Sequence, residues 1–247
     1  MSTHNLNKDQ ETPWNPEHLK LALSGKKSLE EFNLQGADLN GVDLQRADLC
    51  MANLQEARLQ RANLQEADLF AANLTGAKLH GACLTGAGLQ KANLFGVNCQ
   101  ELDFREADLQ GACLQRVELM KANLEGVNLM ETNLQDADLT RANLQGATLW
   151  RAELQGANLQ VAYLGGANLW EAKLQGAKLQ GADLRGANLN LADLRNTDLR
   201  GVSFKGVESL SPGQLINAKN VHLASDLPFS LQEVILAKQL AAMEDDS

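Results

Sequence analysis

Leucine recurs at every fifth position of this chain without a break in register. Thirty-five consecutive five-residue units place this position, called i below, at residues 34, 39, 44 and so on to 204. It is leucine in 32 units, and the exceptions are Cys99, Phe104 and Phe204. On a helix, residues five apart lie about 140° past a full turn, and in a strand an odd period alternates between the two faces. The spacing therefore requires a backbone that turns a corner every five residues.

The other four positions of the unit are nearly as regular. Position i−2 is alanine in 26 units, and it points to the same side of a short extended segment as position i. Position i−1 is mostly Asn or Asp, and position i+1 is often Gln. Position i+2 holds 16 of the 20 glycines, as expected where the backbone bends sharply. The sequence thus predicts an interior of leucine and alanine beneath a polar surface.

The unit A-[DN]-L-x-x, as in residues 62–66 (Ala-Asn-Leu-Gln-Glu), resembles the pentapeptide-repeat family, whose A-N-L-Q-G units are abundant in cyanobacteria. The resemblance covers residues 32–206, about 70% of the chain. It implies an all-β solenoid, a right-handed quadrilateral β-helix with one unit on each side and about nine coils. At ~4.8 Å between stacked coils, the rod is expected to be ~40 Å long.

The flanks are expected to cover the open ends of the rod, because uncovered strand edges invite aggregation. Residues 1–31 are predicted to comprise a disordered start and a capping helix, with Asn15 as N-cap and Pro16 in the first turn. Residues 32–206 form the β-helix, and residues 207–247 form a C-terminal helical cap.

The C-terminal cap is predicted to contain an apolar helix that opens with a capping box of Ser230 and Glu233. Its apolar residues wrap around more than one helix face. Two interpretations stay open: the helix seals the last coil, or it also forms a homodimer. The residues concerned are Leu231, Val234, Ile235, Leu236 and Leu240.

One coil carries substitutions in its interior. Cys99 replaces a leucine with a smaller side chain, while Leu102 replaces an alanine with a larger one and Phe104 adds further volume. Because protein cores resist a net change of volume, these residues are expected to compensate one another. Cys99 is therefore interpreted as a core residue.

The composition argues against several classes of function. The net charge is −9, with −7 on residues 32–140, +3 on residues 141–206 and −5 on the two flanks. This asymmetry either orients a partner or is an uneven distribution of charge on a soluble surface, with no function of its own. Because basic residues do not cluster, direct nucleic-acid binding is not expected.

Chemistry-bearing motifs are missing from the sequence. The four histidines and four cysteines have no spacing typical of metal ligands, and there is no phosphate-binding glycine loop. The sequence therefore predicts a protein that is not an enzyme and has no cofactor or metal. It shows no apolar run for membrane insertion and no signal region, so a cytoplasmic location with reduced thiols is expected.

A 20-residue coil would stack residues 20 apart on one face. One i+1 column then places Trp150 and Trp170 on adjacent coils, with Met130 one coil below and Leu191 on the same side. Exposed apolar patches mark interaction sites, although stacked rings can also serve structure alone. The candidate partner face comprises Cys50, Phe70, Met130, Trp150, Trp170 and Leu191.

The sequence favours a non-catalytic interaction or scaffold protein with an unidentified protein partner. The alternative is a DNA-mimic inhibitor or protector of a type II topoisomerase such as DNA gyrase, as some similar family members are. The solenoid's charge over ~40 Å is far sparser than that of DNA, which carries about one charge per 1.7 Å. A carbohydrate or small-molecule binder is a third hypothesis, although no concave groove is expected.

Overall fold

The chain winds into a tube with four sides to each coil. The computed structural model describes residues 14–207, 209–227, 229, 231–233 and 235–236. Residues 20 apart pair as parallel β-bridges on all four sides, for example Asn33 with Asn53, Asp38 with Arg58, Asp43 with Asn63, and Asp48 with Asp68. The predicted right-handed quadrilateral β-helix is confirmed.

Regular elements are few and short. Helix α1 spans Pro16–Leu23, helix α2 spans Pro212–Leu215, and a 3-10 helix spans Val221–Leu223. In the described ranges, the β structure consists of single bridges at the i−1 position and contains no longer strand. This follows from the five-residue unit, which leaves only two or three extended residues between corners.

Each corner is a tight turn that the unit sequence encodes. The N–H of Ala37 donates to the carbonyl of Leu34 across the turn at 3.0 Å, and this bond recurs along the rod. All thirty-five i+2 residues have a positive φ, including sixteen glycines and nineteen other residues. A type II turn requires this conformation. The side chain at i−1 supports the turn, since Asn53 Oδ1 accepts from the N–H of Gln55 at 3.2 Å.

The core is a column of leucines lined by alanines. Side chains at positions i and i−2 are buried from Leu29 to Phe204, apart from the half-buried Phe32 and Val42 near the start. Two threonines take the alanine position and are fully buried. Their hydroxyls donate to carbonyls of the preceding coil, Thr132 to Leu109 and Thr197 to Leu174, each at 2.9 Å. The polar groups are therefore satisfied inside the apolar column.

Helix α1 covers the first coil. The Asn15 side chain accepts from the N–H of Glu17 at 3.0 Å, and the Asn15 N–H donates to the Asn33 carbonyl at 3.1 Å. His18 Nδ1 accepts the Asn33 N–H at 2.9 Å, and its ring stacks on Phe32 with centroids 4.0 Å apart. Both backbone groups of Asn33 on this open edge therefore have partners, as the cap was expected to provide.

Pairing between coils extends past the limits of 32–206 at both ends. It begins at Ser28 with Asp48, and it continues to Ser203 with Ser225. The last pairs are 21 and 22 residues apart, because helix α2 and the 3-10 helix lengthen the sides once the five-residue period ends. Gln214 closes the end of the rod by donating from Nε2 to the carbonyls of Leu189 at 2.7 Å and Ala192 at 2.9 Å.

The coil that contains Leu102 packs differently from the predicted compensation. Cys99, Leu102 and Phe104 are buried, and burial raises the pKa of the Cys99 thiol to about 12. However, the hydrogen-bond ladder to the preceding coil is loosened here. Six N–H groups lack the carbonyl partner that equivalent residues bind, as Leu74 binds Asn93 at 2.8 Å. The six are those of Gly76, Leu79, Gly81, Leu84, Asn98 and Asp103.

We call this boundary, between residues 76–84 and 95–103, the seam. The bridge expected between Cys83 and Asp103 is missing from the described series, whereas the bridge between Lys78 and Asn98 persists. Leu102 is the only leucine at an i−2 position, so its added volume holds the coils apart. A cavity of about 540 Å³ runs along the seam, lined by residues that include Gln60, Lys78, His80, Gln100 and Glu101.

Candidate functional site

One face of the rod carries the candidate partner residues, and we call it the tryptophan face. It consists of eight sides, numbered one to eight from the N-terminal end. Their leucine positions are Leu49, Leu69, Leu89, Leu109, Leu129, Leu149, Leu169 and Leu189. Bridges at i−1, such as Thr148 with Asn168, hold these sides in register. Because i+1 side chains project outward, those of successive sides form one column on the surface.

Trp150 and Trp170 lie in contact on sides six and seven. Their ring centroids are 5.9 Å apart with an interplanar angle of 28°. The guanidinium of Arg151 lies 4.6 Å from the Trp150 centroid, and its Nε pairs with Glu171 at 2.7 Å. Glu131 also lies 4.0 Å from Arg151. These contacts fix the tryptophan pair against the surface, which lowers the entropy lost when a partner binds.

Trp150 also has an unsatisfied polar atom. Its Nε1 is buried and has no hydrogen-bond partner among the described residues. A buried indole N–H usually finds an acceptor, so this atom is an exception. Trp170, by contrast, remains 39% exposed. The pair therefore combines an exposed apolar ring with a buried donor that has no partner among the described residues.

The opposite end of the face is also apolar. Phe70 on side two is 37% exposed, and Lys91 Nζ lies 5.4 Å from its ring centroid. Met51 on side one is 49% exposed and was missed by the sequence analysis. The signal was present, because Met51 holds the same corner position that Leu191, 65% exposed, holds seven coils later. We define the apolar strip as Cys50, Met51, Phe70, Met130, Trp150, Trp170 and Leu191.

A polar segment separates the two apolar ends. Gln90 and Gln110 occupy the column on sides three and four, and Gln90 Nε2 donates to Asp108 at 2.9 Å. The neighbouring i−1 column changes character along the rod. It carries carboxylates on sides one, two and four, and mostly amides on sides five to eight: Asp48, Asp68 and Asp108, then Asn128, Asn168 and Asn188.

Three potential ligand atoms meet at side one, where Asp48, Cys50 and Asp68 lie within 4.8 Å of one another. Burial and, next, the hydrogen bond with Asp68 raise the pKa of the Cys50 thiol to about 12. The thiol must lose its proton to bind a metal, and these neighbours oppose that loss. The arrangement therefore supports a role for Cys50 in packing.

The C-terminal candidates divide between the core and the surface. Leu231 is buried, Ile235 is partly buried against the core, and Leu236 is 57% exposed. Val234 and Leu240 lie outside the described residues, as does Ser230. None of the helices in the described ranges has the length and hydropathy needed to cross a membrane.

Comparison with known proteins identifies the repeat. A family model described as pentapeptide repeats matches eight copies, at residues 28–52, 52–89, 87–126, 132–171 and 167–206. No curated protein matches the chain.

Solved structures of repeat proteins are similar to it. HetL, involved in heterocyst differentiation regulation in the cyanobacterium Nostoc, is 34% identical over 76% of this chain and 90% of HetL, with a TM-score of 0.31. Trypsin-treated QnrB1, a plasmid-mediated fluoroquinolone resistance protein, is 16% identical over 82% and 95%, with a TM-score of 0.41. Rfr23 from the cyanobacterium Cyanothece is 27% identical over 53% and 86%, with a TM-score of 0.25. On the family-model match, the chain belongs to the pentapeptide repeat family.

Proposed function

We propose that this is a non-catalytic interaction protein that binds another protein chain through its tryptophan face. The observation that carries the proposal is the stacked pair of Trp150 and Trp170, held by Arg151 and left partly exposed on a flat surface. Tryptophan is enriched among the residues that dominate binding energy, above all where a rigid ring is buried by the partner.

The distribution of exposed apolar residues supports this assignment. Met51, Phe70, Trp170 and Leu191 all lie on the tryptophan face. On the other three faces of the described repeats, the large exposed apolar side chains are Phe95, and Val161 with Tyr163. Each end of the face therefore carries a cluster of exposed apolar residues, and such clusters are a stronger sign of an interface than scattered apolar residues.

The experiment compares two double variants in affinity capture from the native host. In Trp150→Gln with Trp170→Gln, we expect the wild-type partner to be lost. Phe95→Gln with Tyr163→Gln is the matched control, because it removes two exposed aromatic rings from other faces, and it should retain the partner. An unchanged set of captured proteins in the tryptophan variant would contradict the proposal.

The alternative of a topoisomerase inhibitor or protector has less support. A DNA mimic needs uncompensated negative charge, but acids on the rod pair with bases of neighbouring coils. Arg46 pairs with Glu66 at 2.7 Å, and Lys121 pairs with Glu101 at 2.8 Å. A gyrase supercoiling assay tests the alternative directly, and inhibition or protection at micromolar protein would favour it over our proposal.

Two further points accompany the proposal. The C-terminal end is the alternative surface for a homodimer, because the apolar side chains of Leu223, Phe229 and Leu236 are exposed there. A cytoplasmic site of action has support from the four cysteines, which are all free thiols. Sedimentation of a Leu236→Gln variant tests the first, and fractionation of the native host tests the second.

A further inference from the structure

The exposed apolar residues of the tryptophan face are arranged symmetrically along it. Met51 and Phe70 lie on sides one and two, whereas Trp170 and Leu191 lie on sides seven and eight. The midpoint between them falls between sides four and five. Phe70 and Trp170 share one column, and Met51 and Leu191 share the next column. A surface of this kind is complementary to a reversed copy of itself.

We propose that the tryptophan face binds a second copy of this chain, with the two rods antiparallel. This rests on the proposed function, because it names the partner of the same apolar strip. A two-fold axis in the interface, perpendicular to the rods at the midpoint, places side one opposite side eight and side two opposite side seven. Phe70 then meets Trp170, and Met51 meets Leu191, in both halves of the interface. Such isologous contacts are the commonest form of protein dimer.

The polar middle of the face matches under the same symmetry. Gln90 on side three lies opposite Trp150 on side six. Gln90 uses Nε2 to bind Asp108, so its amide oxygen is available as an acceptor. The Trp150 N–H has no acceptor among the described residues. A reorientation of the indole on association would direct this buried donor toward the Gln90 oxygen of the second copy.

The polar residues of the face can be paired in the antiparallel orientation. Lys91 on side three lies opposite Arg151 on side six, and the repulsion between them is offset by Glu131 and Glu171, which pair with Arg151. In the i−1 column, carboxylates of one copy face amides of the other, which can donate to them. These pairs are Asp48 with Asn188, Asp68 with Asn168, and Asp108 with Asn128.

The size of the face predicts a weak dimer. Eight sides at ~4.8 Å and a width of ~10 Å give a flat contact of ~400 Å² per copy. A standard stable interface buries about 800 Å² of accessible surface per partner. Side chains that project from the face raise its accessible area above the flat value, but not to this size. We therefore expect a concentration-dependent dimer, populated at tens of micromolar and above.

Cross-linking tests the geometry of this dimer. Met51→Cys and Leu191→Cys chains are made separately in a Cys50→Ser background and treated with a short bismaleimide. Within one chain, seven coils separate these positions by ~34 Å, beyond the reach of the reagent. We expect a covalent dimer when the two variants are mixed, and only background from Cys83 and Cys113 in each variant alone. A mixture that cross-links no more than the separate chains would overturn the proposal.

Sedimentation velocity tests the energetics. Trp170→Gln and Phe70→Gln, at opposite ends of the strip, should each weaken dimerisation by about tenfold or more. Phe95→Gln on another face and Leu236→Gln at the C-terminal end are matched controls and should leave it unchanged. A dimer lost only in Leu236→Gln overturns the antiparallel arrangement.

The same measurements separate this inference from the proposed function. If the wild-type chain stays monomeric at several hundred micromolar, while capture of a different protein still depends on Trp150 and Trp170, the inference fails and the proposed function stands. If neither self-association nor capture responds to the tryptophan substitutions, both fail. Circular dichroism of each variant verifies that the β-helix is intact.

Discussion

Trp150 and Trp170, separated by twenty residues in sequence, stack with ring centroids 5.9 Å apart. The contact exists because one coil contains four five-residue sides, so that equivalent side chains lie one above the other. The same geometry places the ion pair of Arg151 with Glu171 beside the rings. An interaction surface can therefore be built from single residues that recur at this interval.

The stacked pair should contribute to stability as well as to binding. We predict that a double-mutant cycle of Trp150→Ala and Trp170→Ala gives a coupling of about 0.5–1.5 kcal/mol, as for other aromatic pairs. Urea unfolding followed by circular dichroism measures the four free energies. Additive losses would mean that the rings are neighbours without a stabilising contact.

The seam should be the least protected part of the solenoid. We predict that the N–H groups of Leu79, Gly81 and Asn98 exchange with solvent faster than their equivalents in other coils, because they lack well-formed partners. In Leu102→Ala the coils should close, and exchange at these amides should slow. NMR-detected hydrogen exchange measures both effects.

Val117→Ala is the control for the seam, since it also shortens an i−2 side chain but lies where the ladder is intact. It should not slow exchange at any of these amides. Faster exchange at the seam in Leu102→Ala would show that Leu102 supports the ladder, contrary to our interpretation.

Most of the fold could be predicted from the sequence, because one period specifies the turn, the interior and the stacking at once. The adjacency of Trp150 and Trp170 was predicted from that period together with the four-sided coil that the family resemblance implies. The seam was not predicted from the sequence. The expected compensation between Cys99 and Leu102 compared only their side-chain volumes, although the two side chains enter the core from different positions of the unit, i and i−2. Leu102 lies at a position that holds alanine in 26 of the 35 units, so volume lost at Cys99 is not recovered there.

The continuation of pairing beyond the repeats was not predicted either, for a different reason. After residue 206 the chain continues to wind around the end of the rod, but its sides are longer because they include helix α2. Pairing between coils therefore continues although the five-residue period has ended. Met51 was missed because the predicted face followed the i+1 column and included only Leu191 from the adjacent corner column. Its exposure depends on the corner conformation, φ 55°, that carries the side chain outward.

Val161 is predicted to be a strained corner. It is a β-branched residue with φ 58°, a conformation that costs such residues roughly 1–2 kcal/mol. Because Asn tolerates this region better, Val161→Asn should raise the free energy of unfolding by about 0.5–1 kcal/mol. Thermal or urea unfolding measures the change.

The control for Val161→Asn is Gly181→Val, which introduces a β-branched residue at the equivalent corner one coil later. A Cβ there would meet no atom nearer than Val161 Cγ2 at 3.8 Å, so backbone strain alone should destabilise it. Equal stability of wild type and both variants would contradict the assignment of strain.

Acid should destabilise the C-terminal coils through their carboxylates. Hydrogen bonds from Arg185 and Arg195 lower the pKa values of Asp183 and Asp193, and desolvation only partly opposes this. A lowered folded-state pKa gives stability that is present above the unfolded value of about 3.9 and is lost as pH falls through the folded value. Stability should therefore stay level from pH 7 to about 5 and fall below about 4.

Thermal unfolding between pH 7 and 2.5 tests the acid prediction. The variant Asp183→Asn with Asp193→Asn should show a shallower fall in stability below about pH 4, because it lacks both carboxylates. An unchanged slope would show that other carboxylates dominate acid unfolding.

The central claim is that the two ends of the apolar strip contact each other in an antiparallel pair. Oxidative footprinting over a range of protein concentrations tests it most directly, because one measurement reports both ends. We predict that labelling of Met51, Phe70 and Trp170 falls together as concentration rises, while labelling of Phe95 and Tyr163 stays constant. Labelling of the strip that does not change with concentration, or protection confined to Phe229 and Leu236, would contradict it.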